Sequence, residues 1–82
     1  MRVAAGWIEI DLHSGVPIYV QIAAQVRRAI EAGSLRSRER LPTVRRLARE
    51  LSVAPNTIVK AYSELQGVGL VEEIFERSRV LV

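Results

Sequence analysis

Apolar residues recur at Ile18, Ile22, Val26, Ala29 and Ile30, in steps of three and four that lay one stripe along a helix. Arg27, Arg28 and Glu31 fall off that stripe. Pro17 stands where a proline can open a helix, and Gly33 can end one. A first helix is therefore predicted near 17–32, followed by a polar connection from Ser34 to Arg40. The next apolar set is Val44, Leu47, Ala48 and Leu51, which predicts a short second helix over about 43–51. Leu41 is held extended by Pro42, and Thr43 can cap the helix through its side-chain oxygen. Arg45, Arg46 and Arg49 are left mostly outside. The pattern then breaks at Ser52-Val53-Ala54 and begins again. Ile58, Ala61, Tyr62 and Leu65 form an inner stripe, and Asn56, Thr57, Lys60 and Ser63 an outer one. This third helix starts at Ala54 or Pro55, with proline in its first turn, and ends at Gly67 to Gly69.

The two ends of the chain follow a different rhythm. Trp7 to Leu12 partly alternate apolar with charged residues, which fits a short strand or an extended arm, and His13-Ser14-Gly15-Val16 reads as a turn. After the third helix, Leu70 to Phe75 and Arg79 to Val82 look like two short strands. Glu76-Arg77-Ser78 lies between them, without the Gly or Asn of a tight hairpin. Glu72 and Glu73 are neighbours in a strand and so face opposite ways. The expected fold is mainly α with a small β-hairpin, an α+β domain of three helices.

Two short helices joined by a turn of three or four residues form a helix-turn-helix. In that arrangement the first helix braces the second. The second presents a start free of bulky apolar groups to the major groove of DNA. Here Val53 is the one residue of the turn expected to be buried between the helices, and Asn56 and Thr57 occupy the first exposed turn of the second. A following hairpin makes the arrangement a winged helix. Spacing alone also leaves open a plain helical hairpin, in which the break only ends one helix.

Charge shifts that balance. The net charge is +3 and the pI about 10.2. Between Arg36 and Lys60, however, seven cations (Arg36, Arg38, Arg40, Arg45, Arg46, Arg49 and Lys60) stand against Glu39 and Glu50. The rest of the chain is net negative. Positive charge gathered around the break raises the expectation of a phosphate-bearing partner, with a solvated helix face as the open alternative for the charge run alone. At 82 residues the chain is one domain with a modest core and little room for a ligand cavity. There is no cysteine, and His13 has no second ligand near it, so no metal or cofactor is implied. No nucleophile–base pair or Gly-rich phosphate loop supports an enzyme. No apolar run approaches the ~20 residues that span a bilayer. Glu9 and Asp11 interrupt any signal-like stretch, and a cytoplasmic protein is expected.

The chain resembles the GntR family of bacterial transcription regulators, and within it the short YtrA-like branch. The resemblance is carried by PIYVQIAAQVRRAIEAGSL at 17–35, by LPTVRRLARELSVAPNTIVKAYSELQGVGLV at 41–71, and more weakly by the tail. It implies a DNA-binding winged helix-turn-helix over 14–82, with 1–13 as an N-terminal arm or strand. The recognition helix would span about 55–67, and the chain would act as a transcription regulator, a repressor by expectation. It also implies roles residue by residue. Arg45 reaches DNA from the start of the second helix, and Thr43 is a phosphate-facing cap. Pro55, Asn56 and Thr57 begin the recognition helix, and Lys60 follows one turn later. Tyr62 is core, and Tyr19 and Gln21 serve packing or backbone contacts. Beyond the resemblance, a DNA-binding role would draw phosphate contacts from Arg36, Arg40, Arg46, Arg49, Lys60 and Arg77, and Arg79 could also attract phosphate.

The chain departs from the family pattern in three places. Arg38 stands near a position that is usually Gly, just before the LP segment. The wing stretch Phe75-Glu76-Arg77-Ser78-Arg79 lacks the family's glycines. Family members also continue into a dimerising or effector-sensing region, whereas this chain ends with the wing and carries no visible effector pocket. A homodimer on double-stranded DNA is the expected assembly. Trp7, Ile8 and Ile10 of the arm are expected to pack on the domain's own core, to pack on a second copy, or to complete the wing sheet as a strand. The alternative function is a winged-helix module that binds protein and not DNA.

Overall fold

A computed structural model of the chain describes residues 7–35, 39–73 and 79–81. Three helices, α1 (Ile18–Glu31), α2 (Val44–Leu51) and α3 (Pro55–Gly67), are followed by two strands, β1 (Val71–Glu73) and β2 (Arg79–Leu81). The strands pair antiparallel, with Val71 opposite Leu81, Glu72 opposite Val80 and Glu73 opposite Arg79. The expected turn at Glu76-Arg77-Ser78 lies outside the described residues.

The helix ends follow local chemistry. Pro17 sits one position before α1 and not inside its first turn. Its carbonyl accepts from the N–H groups of Val20 and Gln21, each at 3.1 Å. At the other end the Gly33 N–H donates to the Ile30 carbonyl (3.1 Å) and the Ser34 N–H to the Ala29 carbonyl (2.9 Å). These two bonds make a Schellman closure around a residue of positive φ. α3 closes in the same way around Gly69, through Leu70 to Leu65 at 3.0 Å. α2 does so without glycine. The Val53 N–H reaches the Ala48 carbonyl at 3.0 Å, and Ser52 takes the left-handed conformation, φ 56° and ψ 45°. Among the described residues Ser52 is the only non-glycine with positive φ.

α3 is the central element, with α1, α2 and β1 all packed against it. Ile58, Ala61, Tyr62 and Leu65 of α3 are buried together with Ile22 and Val26 of α1, Leu47 and Ala48 of α2, and Val71 of β1. Ile18, Ala29, Ile30, Val44 and Leu51 lie at the margin, half-buried. Val53 is also half-buried, packed against the core rather than enclosed by it, because the turn that carries it faces solvent at Ser52 and Ala54. Leu35 and Leu41 extend the core into the connection before α2.

The arm packs on its own domain. Ile8 is buried in the core, and Trp7 and Ile10 lie against it. Two glutamines one helical turn apart hold its backbone. The Gln25 carboxamide accepts from the Glu9 N–H at 2.9 Å and donates to the Glu9 carbonyl at 2.6 Å. Gln21 treats Asp11 likewise, at 2.8 and 2.9 Å, and also donates to the Val16 carbonyl at 2.8 Å. Each carboxamide thus supplies the donor and acceptor that a neighbouring strand would supply. Among the described residues the sheet has two strands only, so the arm does not extend the wing there. The glutamine side chains satisfy the backbone groups that strand pairing would otherwise have served.

Candidate nucleic-acid interface

The start of α2 is set by Thr43, whose Oγ1 accepts from the Arg46 N–H at 3.2 Å. Thr43 is exposed, as are Arg45, Arg46 and Arg49 beyond it. Burial of Leu47 and Ala48 fixes this outward direction, since the three arginines occupy the remaining helical positions. Arg46 Nε lies 3.0 Å from Glu50 Oε1, with the two side chains 53% and 33% exposed. A pair so solvated, at i and i+4, contributes about 0.3–0.5 kcal/mol and leaves further guanidinium donors unused. Arg45 and Arg49 form no ion pair among the described residues.

α3 begins at Pro55, in its first turn as expected, with Pro55 and Asn56 exposed. Thr57 is half-buried, and its N–H donates to the Ala54 carbonyl at 3.0 Å, so of the two residues expected at this start Asn56 is the freer. Lys60 is exposed, with Nζ 5.8 Å from the centre of the Tyr19 ring. That distance is within cation–π range and holds the ammonium near the start of α1. Neither α2 nor α3 carries an acidic residue in its first turn. No side-chain carboxylate therefore offsets the partial positive charge of either helix start, although Thr43 and the Ala54 carbonyl each take up one N–H there.

The structure thus brings Thr43, Arg45, Arg46 and Arg49 of α2 to the solvent side of one short helix. Pro55, Asn56 and Lys60 lie at the exposed start of the next. Arg77 lies outside the described residues, as do Arg36 and Arg38. The Arg79 backbone is in β2, opposite Glu73. Two features escaped the sequence reading. Val59, assigned there to neither stripe, is 37% exposed on α3. Its place three residues after Asn56 could have signalled this. Tyr62 is buried but donates its hydroxyl to the Pro42 carbonyl at 2.6 Å, a bond no local pattern announces. A groove of about 430 Å³ also opens beside the end of α1, lined by Trp7, Arg28 and Leu35 among others and by no residue of α2 or α3. Among the described residues no helix is long and apolar enough to cross a membrane.

Two helices joined through a left-handed turn, braced by a third and followed by an antiparallel hairpin, make this a winged helix-turn-helix domain. The chain belongs to the family described as bacterial regulatory proteins, gntR family, whose model matches residues 18–82. It is similar to an HTH-type transcriptional regulator of Mycobacterium tuberculosis, 44% identical over 66 residues, covering 80% of this chain and 54% of that protein. It is also similar to the HTH-type transcriptional repressor YtrA of Bacillus subtilis, 40% identical over 67 residues, covering 82% and 52%. The chain spans about half the length of each of these two relatives. Among solved structures, YtrA from Sulfolobus acidocaldarius, a GntR-family transcription factor, superposes with a TM-score of 0.84 at 40% identity, over 90% of this chain and 78% of that one. The DNA-binding domain of AraR, solved in complex with an operator, shares the fold at 21% identity and a TM-score of 0.79, over 92% of this chain and 96% of that one.

Proposed function

We propose that this chain is the sequence-specific double-stranded DNA-binding module of a transcription regulator, with α3 lying in the major groove. The observation that carries the reading is the pair of acid-free, solvent-facing helix starts. One presents Arg45 and the other Asn56, with Arg46, Arg49 and Lys60 beside them. Arginine and asparagine are suited to bidentate contacts with guanine and adenine edges, and the remaining cations to phosphates. Thr43 and Pro55 shape the two starts, Thr57 supports the second, and Arg77 and Arg79 would bring the wing to the backbone. The chain acts by binding and not by catalysis, in the cytoplasm, and as a repressor, the role in the printed name of its Bacillus subtilis relative.

A single module of this kind covers a short site, and helix-turn-helix proteins gain affinity by pairing on two half-sites. The working form is therefore a homodimer. Selection from randomised duplex DNA tests the whole reading. One enriched, two-fold symmetric site is expected. Arg45→Ala combined with Asn56→Ala should abolish binding to it. Enrichment of nothing, or unchanged binding by the double variant, overturns the proposal in favour of a protein-docking winged helix. Sedimentation of the protein–DNA complex as one chain per site would refute the dimer.

A further inference from the structure

We infer that Val59 is a base-reading residue whose methyl groups meet the C5 methyl of a thymine, in the base pair next to the one contacted by Asn56. This rests on the DNA-binding reading above and adds a chemical specificity to it. Every other large apolar side chain of α3 is buried: Ile58, Tyr62 and Leu65 are at most 2% exposed. Val59 alone breaks the pattern at 37%. Helix stability does not explain it there, because a β-branched residue is a poorer helix former than the polar residues an exposed position usually carries.

Its position does explain it. Val59 is the fifth residue of α3, three after Asn56, one before Lys60 and four before Ser63, all exposed. It therefore stands within the first turn and a half, the part of a recognition helix that reaches base edges. Three residues of helix advance about 4.5 Å, close to one base-pair step of roughly 3.4 Å. Asn56 and Val59 are thus spaced to face neighbouring pairs. In the major groove the one apolar group on any base edge is the thymine methyl, and the natural partner of an asparagine carboxamide is adenine. A valine in a helix holds one dominant χ1 rotamer, so its methyl groups are presented without loss of side-chain freedom.

The experiment uses the full chain and the site it selects. Each thymine of that site is replaced in turn by deoxyuridine, which removes the C5 methyl and nothing else. Wild type should lose about fourfold in affinity for a replacement at one position of each half-site, equivalent to the ~0.8 kcal/mol of one buried methyl group. Val59→Ala should bind the thymine and uracil versions of that position equally, and should match wild type in its response to every other replacement. Unchanged far-UV circular dichroism of the variant keeps the comparison free of folding effects. If no replacement distinguishes Val59→Ala from wild type, the role of Val59 is refuted while DNA binding stands. If no site is selected at all, both readings fall together.

Discussion

The Tyr62 hydroxyl donates to the carbonyl oxygen of Pro42 at 2.6 Å, across twenty residues of chain. Pro42 immediately precedes Thr43, the cap of α2, and Tyr62 lies in the middle of α3. The bond therefore pins the entry of the bracing helix to the centre of the presenting one. Tyr62 is 1% exposed, so the bond gives a buried hydroxyl an acceptor.

Tyr62→Phe keeps the ring and its packing but leaves the Pro42 carbonyl without this donor. A loss of about 1 kcal/mol of unfolding free energy is expected, the net worth of one typical hydrogen bond. Urea denaturation with unchanged m-value reads it. A variant as stable as wild type would show that the bond contributes nothing net.

Ser52 closes α2 in a left-handed conformation that costs an L-residue roughly 1 kcal/mol. Ser52→Gly removes that strain and gives part of it back through a freer unfolded chain. A net gain of about 0.5 kcal/mol is expected, seen as a melting temperature raised by roughly 2–4 °C for a domain of this size. Ser52→Val should shift it the other way, by more than 1 kcal/mol, since β-branched residues tolerate positive φ poorly.

Gln25→Leu retains bulk at the α1 surface but removes both partners of the Glu9 backbone. Faster amide exchange is expected at Glu9, together with a red shift in Trp7 fluorescence as the arm loosens. Exchange in α3 should be unchanged, because the opening is local. Uniform protection across wild type and variant would mean that apolar contacts of Ile8 alone hold the arm.

Arg49→Ala removes a cation with no ion-pair partner among the described residues. If Arg49 holds a phosphate, affinity for the selected site and for random DNA should fall by similar factors. The slope of log affinity against log salt should flatten by about one unit. Arg45→Ala should instead weaken the selected site far more than random DNA.

Much of this architecture was legible before any coordinates. The stripe from Ile18 to Ile30, Thr43 before α2 and Pro55 at the start of α3 are local signals, and each element formed within a residue or so of its expected place. The buried partners inside the helices, Ile22, Val26, Leu47, Ile58 and Leu65, followed from the same periodicity. The arm was not legible in this way. Alternation at Trp7 to Leu12 records that one side is buried, but not against what. The structure answers with two glutamines whose pairing with Glu9 and Asp11 depends on α1 passing alongside. Val59 escaped for a related reason, since an aliphatic residue at the border of a stripe can fall on either side until its neighbours are placed.

The sequence by itself determined the helices, the break between α2 and α3, and the gathering of cations around that break. These depend on period, capping and composition, which act over a few residues. Only the tertiary structure decided that Tyr62 reaches Pro42, that Ser52 carries the left-handed turn, that the arm lies on α1, and that Val59 stands in solvent beside Asn56. Each of these depends on where distant segments meet, and contacts of that kind are set by packing of the whole core rather than by any local preference of the chain.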